Sequence, residues 1–207
     1  MAKHTIRQGE CILSVADKYG FLADTLWNHA ENAQLKQKRK DPSVLFPGDE
    51  VFIPDKQEKT EVCATEQKHR FRKKSVPAKM KICLLINDKP RANKSYKLQI
   101  DGIWKENAKG KTDGDGFVEE SIPPNAKDGR LVLEAKSGED IYILKFGTLD
   151  PLDTEEGVKK RLFDLGYVVD GDLSKAVKAF QKKEGLDPAN GTLNDATKTS
   201  LKERFGQ

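Results

Sequence analysis

The sequence predicts a multidomain α+β protein: a βααβ head over residues 1–55, a charged linker over 56–78, a small antiparallel β-sandwich over 79–147 and a three-helix domain over 148–207. Three observations carry this reading. Apolar residues recur at helical spacing near both ends of the chain, short apolar runs separated by Gly, Asn, Asp and Pro fill the middle, and the composition turns sharply polar between the head and the middle. At 207 residues and 34% charged, length alone allows one domain or two. The organisation argues for three small ones, each with a modest core.

The head begins in a strand-like pattern through Thr5 and Ile6. Ile12, Val15, Ala16 and Tyr19 then stand at i, i+3, i+4 and i+7, one face of a helix that Gly20 ends. Leu22 to His29 predicts a second short helix with Leu22, Leu26 and Trp27 as core contacts, and a head this small needs the Trp27 ring to complete its burial. Gln34 to Pro42 reads as a basic loop before the turn Pro47-Gly48. Val51-Phe52-Ile53 closes the head as a strand stopped by Pro54.

From Asp55 to Pro77 Lys, Glu, Gln, Thr, His and Arg dominate, which marks a linker. Its cluster Lys68-His69-Arg70-Phe71-Arg72-Lys73-Lys74 has one aromatic and no further basic face around it, so it reads as solvated chain rather than a nucleic-acid surface. The formal charge of +4 points to neither nucleic acid nor anionic lipid.

The β module is expected as runs at 79–86, 95–100, 116–122, 130–134 and 141–146. Lys111-Thr112-Asp113-Gly114-Asp115-Gly116-Phe117 reads as a tight turn into a strand. Its aspartates invite comparison with a calcium loop, but the Glu at loop position twelve and the flanking helices are missing. In the last segment Asp153 or Thr154 is placed to cap a first helix with Val158, Leu162 and Leu165 on its buried face and Gly166 at its end. Ser174 is expected to cap a second helix carrying Ala176, Val177, Phe180 and Gln181. Asn194 or Asp195 is expected to cap a third, with Leu201 and Phe205 packing inward.

Catalytic sets are hard to assemble from these residues. His4, His29 and His69 stand singly, without a metal-ligand spacing. Cys11 could meet His4 or His29 only inside a head too small for a cleft, and no module suggests room for two carboxylates flanking a glycoside. Gly102, Gly110, Gly114 and Gly116 lack a phosphate-loop spacing and ending. Cys11, Cys63 and Cys83 are an odd number spread over separate regions, so they predict free, packed thiols folded in a reducing compartment rather than disulfides. No apolar run approaches the ~20 residues of a membrane span, and no Sec leader is expected. The expectation is a protein without catalytic residues, metal or cofactor, neither inserted in a membrane nor bound to nucleic acid.

Two family resemblances sharpen this expectation. Thr5-Ile6-Arg7-Gln8-Gly9-Glu10, Val15-Ala16-Asp17-Lys18-Tyr19-Gly20 and Phe46-Pro47-Gly48-Asp49 through Pro54 resemble a LysM glycan-binding module. The resemblance implies a shallow groove for N-acetylglucosamine units, with Gly9, Glu10, Cys11 and Ile12 on one lip and Asp41, Pro42, Val44 and Leu45 on the other. Gly-Asp-Thr-Leu of the family reads Gly9-Glu10-Cys11-Ile12 here, which removes a hydroxyl, and Leu35 to Lys40 enlarges the second loop.

Gly157-Val158-Lys159-Lys160-Arg161-Leu162, Leu165-Gly166-Tyr167, Asp170-Gly171, Ala176-Val177-Lys178-Ala179-Phe180-Gln181 and Gly191-Thr192-Leu193 resemble the three-helix peptidoglycan-binding domain of cell-wall hydrolases. That resemblance implies wall-peptide contacts at Tyr167, Asp170, Asp172 and Gln181; in the competing reading Tyr167 and Phe180 are core and the domain is a docking adaptor. The segment around Asp113 resembles transthyretin-like or Ig-like repeats.

The whole arrangement resembles small proteins of bacterial contractile injection machines of the type VI secretion kind. It implies a non-catalytic peptidoglycan-binding accessory protein, partnered with a spike or effector, made in the cytoplasm and delivered to the periplasm or exterior by the apparatus. A cytoplasmic adaptor or immunity-type protein and a minimal wall hydrolase are the alternatives.

Overall fold

A computed structural model describes residues 2–57, 60, 62–70, 78–106, 110–135 and 138–205. Helices and small antiparallel sheets both occur, in a mixed α+β protein. The chain divides into two compact units, residues 1–79 with 121–126 and residues 80–120 with 127–207.

In the first unit β1 (Ala2–Thr5) pairs antiparallel with β2 (Glu50–Ile53), His4 opposite Val51. α1 (Ile12–Tyr19) buries Ile12, Val15 and Ala16, the face its spacing predicts, and Gly20 ends it at φ 73°. A side chain there would be strained in the left-handed region. α2 (Ala23–Trp27) buries Leu26 and Trp27. Leu22, expected in the core, is 49% exposed, because it precedes α2 as its N-cap and Phe21 and Ala23 pack in its place.

The stretch read as a basic loop is a helix. A 3-10 turn at Ala30–Asn32 leads into α3 (Ala33–Arg39), which makes the head βαααβ. With Leu35 its one buried residue, α3 shows no apolar period in the sequence. What holds it is Asn32, whose side chain is buried, donates to the Leu26 and Phe52 carbonyls at 2.8 and 3.1 Å and accepts from the Phe52 N–H at 2.7 Å. The core joins Ile6, Ile12, Leu26, Trp27, Leu35 and Val51. Of the expected linker, 56–57, 60 and 62–70 are exposed and outside any helix or strand; 58, 59, 61 and 71–77, and with them Phe71 to Lys74 of the basic cluster, lie outside the described residues.

The second unit holds the sheet in the order β11-β10-β6-β7, with β8 also on β6. These strands are β6 (Ser95–Ile100), β7 (Ile103–Trp104), β8 (Gly110–Lys111), β10 (Asp128–Ala135) and β11 (Gly138–Lys145). Tyr96, Leu98, Ile100, Leu131 and Leu133 are buried on one face, following the period of two of a half-buried strand. Two further pairs, β3 (Ala78–Cys83) with β9 (Phe117–Ile122) and β4 (Leu85–Ile86) with β5 (Lys89–Pro90), complete the strands. Four of the expected runs are each one strand, while 79–86 is two, β3 and β4, broken at Leu84; Lys89–Pro90, Ile103–Trp104 and Gly110–Lys111 are strands the sequence did not announce.

The thiols are free, yet not core: Cys63 and Cys83 are exposed and Cys11 is half-buried. Cys83 falls on the outward phase of β3 with Lys81, while Met80 points inward. An apolar run around a residue does not decide its face; the pleat does.

α4 (Glu155–Asp164) is capped by Thr154, whose hydroxyl accepts from the Gly157 N–H at 3.1 Å. α5 (Leu173–Lys183) is capped by Asp172 rather than the expected Ser174, because the Asp172 carboxylate itself accepts from the Ser174 N–H at 3.0 Å. Asn194 stands before α6 (Asp195–Phe205) and accepts from the Thr197 N–H at 2.8 Å. Val158, Leu162, Ala176, Val177, Phe180 and Leu201 form the core. Arg161 is buried among them and donates to the Asp150 and Gly157 carbonyls at 2.7 and 2.8 Å. A Cβ on Gly157 would collide with the Pro151 carbonyl, so this residue must be glycine. Lys183 of α5 pairs with Asp88 of the β4–β5 turn at 2.8 Å. Among the described residues no helix is long and apolar enough to cross a membrane.

Trp27, at 7% exposure, is the largest side chain of the head core. Trp27→Ala is expected to cost about 3–5 kcal/mol, enough to abolish the cooperative unfolding of a small core. Urea unfolding followed by NMR signals of the head checks this; a cooperative transition at the wild-type midpoint would contradict it.

Candidate functional site

The two segments expected to form glycan-binding lips do meet. The Ile12 N–H donates to the Pro42 carbonyl at 3.0 Å, tying the start of α1 to the loop after α3. Gly9 turns the first segment at φ 84°. Glu10 closes that turn by accepting from the Arg7 N–H at 2.9 Å, and its carboxylate lies 2.8 Å from His4 Nε2. His4 Nδ1 in turn lies 3.2 Å from the Tyr19 hydroxyl. Ser14 Oγ accepts from the Cys11 N–H at 2.9 Å, which starts α1. On the second lip Asp41 accepts from the Ser43 N–H at 2.8 Å.

Three of the eight expected lip residues turn inward. Ile12, Val44 and Leu45 are buried, because the head has too few apolar residues to leave them outside its core. They cannot cover a sugar face. Gly9, Glu10, Cys11, Asp41 and Pro42 are half-buried at the seam, although Glu10 is committed to His4 and Arg7.

Phe46, quoted for the resemblance but not expected on either lip, is 39% exposed one residue beyond the second lip, with the Arg39 guanidinium 5.4 Å from its ring. An aromatic followed by Pro-Gly, in a loop rather than an element, was the signal available for it.

Asp49 fixes this loop. Its carboxylate accepts from Arg39 Nε at 2.7 Å, from Arg39 Nη2 at 2.9 Å and from the Phe46 N–H at 2.9 Å. Burial alone would push its carboxyl up, but the Arg39 and Phe46 hydrogen bonds and the Arg39 charge hold it below the ordinary carboxylate value. For Glu10 burial likewise pushes upward, and the Arg7 and His4 hydrogen bonds prevail, so it too titrates low.

The expected tail groove is not assembled. Gln181 is fully buried, donating to the Thr192 carbonyl and the Thr197 hydroxyl at 2.9 Å each and accepting from the Gly191 N–H at 2.8 Å. It ties a loop to the core. The Tyr167 ring packs edge-on against Phe180, centroids 5.8 Å apart, and burial pushes its hydroxyl pKa up. Asp170 and Asp172 are exposed, the second serving as the α5 cap.

The sheet carries an open depression of about 260 Å³ lined by Ser95, Tyr96, Lys97, Gly110, Lys111, Val132, Glu134 and Glu139. The Tyr96 hydroxyl donates to Glu120 at 2.9 Å, and Lys105 reaches the other oxygen of that carboxylate at 2.9 Å. Burial, with the Glu120 bond and charge, pushes Tyr96 up to about 12. It stays protonated at neutral pH and serves as a packed donor rather than a base. The Asp113 carboxylate is engaged within its own turn, accepting from the Asp115 and Phe117 N–H groups at 3.0 and 2.7 Å. Among the described residues no group of three or more His, Cys, Asp or Glu gathers as a metal site.

Compared with known proteins, the chain matches no family model, no curated protein and no solved structure.

Because Glu10 and Asp49 titrate lower folded than unfolded, their contribution to stability is complete above the ordinary values of 4.5 and 3.8 and disappears as pH falls through the folded values. Urea midpoints measured from neutral to strongly acid pH, with head fluorescence isolated by Trp104→Phe, should fall across that window. Glu10→Gln/Asp49→Asn should be less stable at neutral pH and show a flatter acid limb. For the tail, Gln181→Leu should cost at least the about 1–3 kcal/mol of one buried unpaired group, read as a lower melting temperature, with the Gly191 amide losing hydrogen-exchange protection.

Proposed function

We propose that the chain is a non-catalytic accessory protein that binds the bacterial cell wall, and that its head takes an N-acetylglucosamine-containing glycan of peptidoglycan along the seam between residues 9–12 and 41–46. The observation that carries this reading is the Ile12–Pro42 backbone bond, which holds the two loops edge to edge with Gly9, Cys11, Asp41 and Pro42 half-exposed and Phe46 beside them. A neutral sugar needs such a surface: backbone and carboxylate groups to pair with acetamide and hydroxyl groups, and an apolar ring or edge to cover its face. The resemblance to injection-machine proteins supplies the remainder of the proposal, namely a spike or effector as protein partner and delivery from the cytoplasm to the periplasm or exterior by the apparatus.

Sedimentation with purified peptidoglycan and titration with chito-oligosaccharides at low and high salt test the head. Glycan binding through apolar cover and hydrogen bonds should change little with salt, because screening weakens only charge attraction. Lys36/Lys38/Lys40→Ala should bind like wild type, since Lys36 reaches Asn28 and Lys38 only the Asp49 carboxylate that Arg39 already holds. Cys11→Arg should bind about tenfold or more weakly, although it adds a cation that would strengthen attraction to an anionic wall. Binding that survives Cys11→Arg but vanishes in the triple alanine variant or at high salt would replace the glycan seam with electrostatic docking to an acidic partner. Release of soluble wall fragments during incubation would instead identify a hydrolase.

A further inference from the structure

β11 is the edge of its sheet. Along its eight residues the outward phase is Glu139, Ile141, Ile143 and Lys145, all exposed, with the two isoleucines at 49% and 66%. Cross-strand register places Ile143 in one row with Arg130, Gln99 and Trp104, and Ile141 in the next row with Val132 and Lys97. Among the described residues no backbone group other than those of β10 bonds to β11 between Gly138 and Leu144. An apolar edge of this length, unpaired among the described residues, is what folded proteins ordinarily blunt with Pro, a bulge or a covering loop.

The outward phase is also chemically palindromic: acid, isoleucine, isoleucine, base. An antiparallel copy of β11 centred on Tyr142 would set Glu139 opposite Lys145 of the copy, Ile141 opposite Ile143, and the same pairs again in reverse. A shift of one residue would put outward side chains against inward ones, and a shift of two would set Glu139 opposite Ile143 or Ile141 opposite Lys145. One register alone satisfies face, charge and apolar contact together.

We propose that two copies of this chain pair edge to edge along β11, about a two-fold axis at Tyr142, joining their sheets into one. The contact is isologous, as closed dimers require. Its two ion pairs and two isoleucine pairs are the cross-strand units that stabilise sheets. Within one chain Glu139 lies 3.8 Å from Lys97, and Lys145 pairs with Asp128, both at exposed positions where such pairs hold weakly and can be shared. A contact confined to one edge and one row of side chains is small for a dimer interface, so association is reversible and concentration-dependent.

Sedimentation equilibrium of the full chain over a wide concentration range tests this. Wild type should move between monomer and dimer mass. Glu139→Lys and Lys145→Glu each set like charges opposite one another twice and should weaken self-association about tenfold or more. An equimolar mixture of the two variants sets a lysine of one chain opposite a glutamate of the other at both ends and should form a heterodimer as strong as the wild-type dimer. The double variant carrying both substitutions should likewise recover. A wild type that stays monomeric at its highest soluble concentration, a dimer indifferent to the single variants, or a mixture that fails to associate would each overturn the proposal.

Discussion

Small cores leave loops and helix ends to be fastened by buried polar side chains, and this constraint organises both units. Asn32, Asp49, Arg161 and Gln181 are each buried, and each bonds backbone groups that no helix or strand would satisfy. Among the described residues no buried side-chain nitrogen or oxygen lacks a partner. An unpaired buried donor or acceptor costs a sizeable fraction of a small domain's whole stability, so these fasteners are as necessary as the apolar contacts around them.

In the head the same requirement shapes the candidate seam. Arg39 and Asp49 form a two-point clamp that also accepts the Phe46 N–H, so the aromatic beside the second lip is held by an ion pair rather than by packing. The basic stretch of α3 is thereby divided. Arg39 works inside, Lys38 lies 3.5 Å from Asp49, and Lys36 reaches Asn28 at 2.6 Å. What looks in one dimension like a block of positive charge is in three dimensions partly the scaffold of a loop.

The second unit shows how a pleat sorts residues that composition treats alike. Leu131 and Leu133 are buried with Leu98, while Ile141 and Ile143, no less apolar, face outward. Ile141 is opposite Val132 and Ile143 opposite Arg130, so the outer face mixes aliphatic, cationic and aromatic groups in fixed rows.

Read alone, the sequence determined the helices with repeating apolar faces, α1, α4 and α5, and the main strands with their turns, and it narrowed two helix caps to Asp153 or Thr154 and Asn194 or Asp195, because each depends on residues a few positions apart; the hydrogen bonds of the fold select Thr154 and Asn194. The two loops that meet at Ile12 and Pro42 are expected only from the resemblance to a LysM module, since nothing local links residues thirty positions apart. Local pattern could not determine α3, whose stability comes from Asn32 reaching a carbonyl twenty residues away. Nor could it decide direction outside the regular helix faces: Val44, Leu45 and Gln181 point into their cores, while Cys83 and Leu22 point out. Those choices belong to tertiary structure, because a side chain's face is set by which distant backbone it must satisfy and which small core it must fill.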